Sequence, residues 1–255
     1  MESYLSGLAA HALPLSCVAA AAFLQSLTGF GLAIVMAPLL MLFYDAKAVV
    51  SVVLLLYLCG NFVQSILHLR EVNLRLVAFL YLGVLIGQPI GFQIFDMAAS
   101  ETLKLLINLM VLISLLVMQA TRARFRETNG NSVRTGVLAG ITSVTTGMGG
   151  PPFLIYIAHT KMAPGMLRAT CFLFFFLCNI TSLVTHGLGG YGIDSSFAEF
   201  LYLVPGLLTG LLLGDLLYRF VPKGWLRQAI FVLLYATSLF GCAEFLFHKA
   251  GAFFF

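Results

Sequence analysis

The chain has 255 residues, of which 60% are hydrophobic and only 9% charged, whereas soluble domains carry about 25% charged residues. That composition excludes an ordinary soluble enzyme and predicts an all-α integral membrane protein in a lipid bilayer, because apolar surface on this scale needs lipid around it. The net charge of +4 comes from loops, which points to orientation in a membrane and away from nucleic-acid binding.

In chain order, apolar segments fall at 13–44, 48–67, 74–95, 103–120, 136–158, 166–186, 197–220 and 226–247. Most are near the ~20 residues that a spanning helix requires. No Lys or Arg precedes Lys47, so the first segment lacks the basic start of a signal peptide and is expected to be retained. That segment is longer than a single span and is interrupted at Thr28-Gly29-Phe30-Gly31. The fifth carries a stronger interruption, Thr145-Thr146-Gly147-Met148-Gly149-Gly150-Pro151-Pro152. Glycine costs about 1 kcal/mol and proline about 3 kcal/mol inside a helix. Within a bilayer the freed backbone groups must also find partners in the protein. Such breaks in matching halves point to a transporter's binding site.

The halves do match. At an offset of 118, Thr28-Gly29 corresponds to Thr146-Gly147, Gly31 to Gly149, Asn61 to Asn179 and His68 to His186. At an offset of 123, Gly83, Gly87 and Gly91 correspond to Gly206, Gly210 and Gly214, and Lys104 to Arg227. Each glycine trio lies on one helix face and reads as a close-packing surface. The expected organisation is repeat 1 at 1–120, a basic cytoplasmic linker at 121–134 and repeat 2 at 135–255.

If all eight segments cross the membrane, the 14 Lys and Arg residues divide equally between its two sides. If the two broken segments, 13–44 and 136–158, are V-shaped hairpins that leave on the side they entered, the division is uneven. Eleven then fall with the linker, and three (Lys47, Lys104 and Lys249) fall opposite. The positive-inside rule favours this second arrangement. Each repeat is then one hairpin plus three helices (48–67, 74–95 and 103–120; 166–186, 197–220 and 226–247). An odd number of crossings makes the repeats inverted relative to each other, with both termini outside.

A helix that restarts after a break offers free N–H groups and a positive dipole end, which suit an anion. The residues expected around it are Thr28, Gly29 and Gly31 with Gln25 and Ser26, and Ser143, Thr145, Thr146, Gly147, Met148, Gly149, Gly150 and Pro151. Asn61, Gln64, Ser65 and His68 share one helix face, matched by Asn179, Ser182 and His186. Asn61, Gln64, Asn179 and Ser182 are read as pathway lining, and the two histidines as interfacial. Arg168 either attracts the anion or anchors a helix. Asp215 with Arg219, and Glu244 with His248, have the spacing of surface ion pairs. The scarcity of acids within the spans argues against a cation pathway. The five cysteines lack metal-ligand spacing and read as small core residues, so no metal and no cofactor is expected. There is no Gly-x-x-x-x-Gly-Lys-Ser/Thr, His-Glu-x-x-His or Gly-x-Ser-x-Gly motif, so neither an ATP-driven pump nor a membrane enzyme is expected.

Gly147-Met148-Gly149-Gly150-Pro151-Pro152, its weaker copy Gly29-Phe30-Gly31 followed by Pro38, and the two-halved apolar layout resemble the sulfite exporter TauE/SafE family, also called 4-toluene sulfonate uptake permeases. The resemblance spans essentially the whole chain. It implies a secondary transporter of the bacterial inner membrane for small sulfur-containing or organic anions such as sulfite, sulfonates or sulfoacetate. The expected mechanism is alternating access, with the anion between the two glycine-rich tips and coupling to a proton or another ion left open. An anion channel or a non-catalytic membrane scaffold is the alternative. Substrate, direction and oligomeric state are not legible in the sequence.

Overall fold

The computed structural model describes residues 11–28, 32–120, 128–157, 162–191 and 194–217, together with 232, 234–243 and 245. Among them the regular structure is helical: α1 Ala12–Thr28, α2 Leu32–Leu40, α3 Ala46–His68, α4 Leu74–Met97, α5 Ser100–Ala120, α6 Asn129–Thr146, α7 Gly150–Ile157, α8 Pro164–Leu188, α9 Asp194–Leu217 and α10 Leu234–Ala243. Four stretches are long and apolar enough to cross a membrane: Ala46–Glu71, Leu74–Met97, Gly165–Leu188 and Ser196–Leu217.

The outer surface is that of a membrane protein. On α4 the buried face holds Gly83, Gly87 and Gly91, while Leu82, Leu85, Ile86 and Ile90 are exposed. On α9 the exposed positions include Leu208, Leu212, Leu213 and Leu216. Large side chains face outwards and small ones inwards, as expected where lipid is the solvent and close packing holds the helices together.

Both broken segments double back. Ser132 Oγ, in the first turn of α6, lies 2.9 Å from Tyr156 Oη near the end of α7. Had the chain continued straight, their separation of 24 positions would span roughly 36 Å at 1.5 Å per residue. Likewise His11 and Tyr44, which flank α1 and α2, stack with ring centroids 6.5 Å apart. The turn after α6 is made by Gly147, whose φ of 72° is left-handed and whose N–H closes onto the Ser143 carbonyl. Only glycine adopts that conformation without a Cβ penalty. Helix α6 also begins earlier than the apolar pattern predicts, at Asn129 rather than near 136. Thr128 caps it by accepting from the Asn131 N–H, so one polar turn assigned to the linker belongs to the helix.

The glycine faces pair crosswise. On α4, a Cβ at Gly83 or Gly87 would strike the α6 backbone at Val133 or Val137, and Gly136 and Gly140 of α6 answer at Leu80 and Val84. On α9, Gly206, Gly210 and Gly214 meet the α1 backbone at Leu15, Ala19 and Phe23. Each trio therefore packs against the broken helix of the opposite half. Between these pairs α3 and α8 cross, with Tyr57 and Phe175 rings 5.5 Å apart. Phe62 meets Phe176 at 5.6 Å and His68 meets Phe172 at 5.9 Å, so the end of α3 lies beside the start of α8 and the two run antiparallel.

Candidate functional site

Two buried polar clusters lie along the α3–α8 pair, one beside each broken helix. The first surrounds the end of α1. Gln25, at 1% exposure, donates from Nε2 to Asn61 Oδ1 at 3.2 Å. Asn61 in turn donates from Nδ2 to the Tyr57 carbonyl one turn back. Ser26 Oγ donates to Asp215 Oδ1 at 2.5 Å, and Gln64 Nε2 to Asp215 Oδ2 at 3.4 Å. Gln25 Oε1, Gln64 Oε1 and Ser65 Oγ are buried without a partner among the described residues. A buried polar atom in that condition costs about 1–3 kcal/mol, a cost that a bound ligand or water removes. Arg168 donates from Nη2 to the Ser26 carbonyl at 3.2 Å and lies over Phe172; in this structure it anchors the end of α1. Gly29, Gly31 and the Thr28 side chain lie outside the described residues, as do Arg219, Glu244 and His248.

The second cluster surrounds the break between α6 and α7. Ser143 Oγ and Ser182 Oγ share a hydrogen bond at 3.1 Å, and Gln88 Nε2 donates to Ser182 Oγ and to the Cys178 carbonyl, both at 3.0 Å. Asn179 donates from Nδ2 to the Phe175 carbonyl at 2.7 Å, the same backward bond that Asn61 makes to Tyr57. Ser143 stands 118 residues after Gln25, and Ser182 stands 118 after Gln64. Each half thus ties its broken helix to the long helix beyond the break, Gln25 to Asn61 on α3 and Ser143 to Ser182 on α8. Gly149 sits directly on this network, since a Cβ there would lie 3.3 Å from Ser143 Cβ and 3.6 Å from Ser143 Oγ. Gly150 and Pro151 form the first turn of α7, and Met148 is buried at the turn.

Several expected roles are not what the structure shows. Thr145 donates to the Gly91 and Ile141 carbonyls, and Thr146 to the Thr142 carbonyl, so both hydroxyls are spent on backbone. His186 is not interfacial: it is 2% exposed, with Nε2 on the Val144 carbonyl at 2.9 Å and its ring edge-on to Phe95 at 4.3 Å. Asp215 accepts from Ser26 and Gln64 across helices, and the expected partner along its own helix, Arg219, lies outside the described residues. The described residues flanking the two breaks meet α3 at different levels. A Cβ on Gly147 would lie 3.2 Å from Val53, near the start of α3, whereas Gln25 bonds Asn61 and a Cβ on Gly60 would lie 3.9 Å from Leu32. Those levels are 7–8 residues apart on α3, about 10–12 Å at 1.5 Å per residue. The two polar clusters therefore meet α3 at different heights. Gln88 was missed because it sits within the glycine face read as packing alone; a lone amide in the middle of an apolar span was the available signal.

The sulfite exporter TauE/SafE family model matches residues 15–240. The chain belongs to the TauE/SafE family. No curated protein and no solved structure matches it significantly. Family membership, with the apolar helices, makes this TauE/SafE protein a multi-pass integral membrane protein of the transporter class, one whose family description implies movement of an anion, sulfite. Among the described residues no group of three His, Cys, Asp or Glu side chains is placed to hold a metal.

Proposed function

We propose that this TauE/SafE protein is a secondary transporter that carries a small sulfur-containing or organic anion, of the sulfite, sulfonate or sulfoacetate class, across the bacterial inner membrane by alternating access. The observation that carries the reading is the start of α7 beside the Ser143–Ser182–Gln88 network. The two hydroxyls hold two protons and need only one between them, which leaves the second for a ligand. That donor, the dipole of α7 and the backbone N–H of Gly150 favour negative charge, although Pro151 and Pro152 in the same first turn have no N–H to offer. Gly149 lies beside Ser143 in this network. In the first half Gln25, Asn61 and Gln64 form the counterpart, where Arg168 brings positive charge. The anion visits the two half-sites in turn along α3 and α8.

The two halves, 1–120 and 135–255, act in this proposal as inverted repeats joined by the cytoplasmic linker 121–134. The crosswise packing of α4 on α6 and of α9 on α1 supports that reading, because exchanging the halves leaves it unchanged. A reporter fused to the C-terminus should be accessible only from outside; a cytoplasmic C-terminus would remove the inverted arrangement. The site is tested on purified protein by thermal stabilisation with sulfite, sulfate, sulfonates and carboxylates in turn. The stabilising anion should lose its effect in Gly149→Phe, whose ring would occupy the space beside Ser143. Undiminished stabilisation in that variant would place the anion elsewhere.

A further inference from the structure

Helix α8 reaches both broken helices, one from each of its ends. Near its start, Arg168 Nη2 donates to the Ser26 carbonyl at 3.2 Å, with the guanidinium 5.8 Å from the Phe172 ring centroid. Near its end, His186 Nε2 meets the Val144 carbonyl at 2.9 Å. A carbonyl only accepts, so Nε2 carries the hydrogen. The two carbonyls occupy the same place in their helices. Ser26 is two residues before the last residue of α1, and Val144 two before the last of α6. They are 118 residues apart, the offset at which the halves match. Carbonyls in a last turn have no N–H of their own helix to accept from, and a basic side chain is one way to meet them.

The two donors are not copies of each other. The residue 118 before Arg168 is Val50, and the one 118 before His186 is His68, which bonds to the Gln64 carbonyl of its own helix. Two unrelated side chains thus meet two equivalent carbonyls, and both hang on one helix. Arg168 and His186 are 18 positions apart, about 27 Å along α8, close to the thickness of the hydrocarbon layer. The surroundings of each cap are built around it. Ser26 is also held through its hydroxyl by Asp215, which Gln64 contacts as well. His186 is walled by Phe92, Phe95 and Tyr191. Lys47 lies over Phe95 and Tyr191, and Tyr191 donates to Asp96.

We infer that α8 is a strut that latches both broken helices, with Arg168 and His186 as positioning residues that hold the α1 and α6 ends. Resting on the transporter reading, the latches set which end of the protein opens: a tilt of α8 lengthens one cap without lengthening the other. Hydrogen–deuterium exchange of the full chain in detergent, without substrate, reads each latch separately. R168M should speed exchange in the last turn of α1 by ~10-fold and leave the last turn of α6 at the wild-type rate. H186L should do the reverse. R168K and H186Q keep a donor and should restore the wild-type pattern, while R168Q and H186N, whose donors fall short, replace the first pair if it does not fold. Equal acceleration of both turns by either variant, or of neither, overturns the inference. In vesicles with sulfite as the probe, the ratio of apparent KM at the two faces should move in opposite directions in R168M and H186L, and movement in the same direction also overturns it. Absence of sulfite flux in the unaltered protein counts against the transporter reading alone, and the exchange pattern still decides the latch.

Discussion

Replacing Gly87 by Ala adds one methyl group where α4 and α6 pack backbone against backbone. Its Cβ would lie 2.9 Å from the Val137 carbonyl carbon and 3.1 Å from the Ile141 nitrogen, with the Val137 oxygen nearer still. Unstrained contacts fall at about 3.5–4.0 Å. All three atoms are α6 backbone, so no side chain can turn aside, and α4 must part from α6 by roughly 1 Å. The displacement is felt at Gly83, Gly91, Gly136 and Gly140 on the same pair of faces. Overpacking costs about 1–3 kcal/mol. Backbone contact places this case at the upper end, and alanine's better helix propensity returns about 1 kcal/mol. The net loss is about 2 kcal/mol, a fall in Tm of roughly 4–8 °C for a chain of this size. Gly187→Ala is the control: nothing lies within 4 Å of its added Cβ, and the change should hold or raise Tm. Thermal unfolding in detergent, followed by circular dichroism, compares them. Gly87→Ala melting at or above wild type, or Gly187→Ala falling as far, would refute the packing argument.

Three further outcomes follow from single contacts. A double-mutant cycle of Ser132→Ala and Tyr156→Phe should give a coupling of about 1 kcal/mol, since the two hydroxyls meet across the doubled-back segment; a coupling near zero would separate α7 from α6. Gly147→Ala forces a Cβ into a left-handed turn at about 1–2 kcal/mol, and should lower Tm even though alanine is the better helix former. Gln88→Leu removes the donor to Ser182 and the Cys178 carbonyl. It should cost about 1 kcal/mol of stability and weaken anion-induced stabilisation; unchanged stabilisation would take Gln88 out of the site.

The breaks, the glycine faces and the Asn61–Asn179 correspondence were legible because glycine, proline and buried amides are rare in apolar helices and physically costly there. What could not be read was address. A face of small residues declares that something packs closely on it but does not say what, so the pairing of Gly87 with Val137, and of Gly210 with Ala19, is a property of the folded chain alone. The separation of 189 positions between Ser26 and Asp215 hides their contact for the same reason. The Thr145 and Thr146 hydroxyls turn to backbone for a local reason. A threonine hydroxyl in a helix readily turns back to the carbonyl one turn earlier, and in a bilayer no water competes for it. His186 was misplaced because closeness to a segment end was taken as closeness to the surface, while Phe92, Phe95 and Tyr191 close over that end.

The crosswise packing of glycine faces also bears on biosynthesis. Helix α1 leaves the ribosome early, yet its backbone-to-backbone partner is α9, and the Ser26–Asp215 bond must wait for 189 further residues. At about 5–20 residues per second, that wait is roughly 10–40 s. Throughout it the small-residue surface of α1 is in the bilayer without its partner. The N-terminal half is therefore not a unit that matures first and receives the second. The two halves finish together, and a chain truncated before α9 leaves both the end of α1 and Asn61's cluster incomplete.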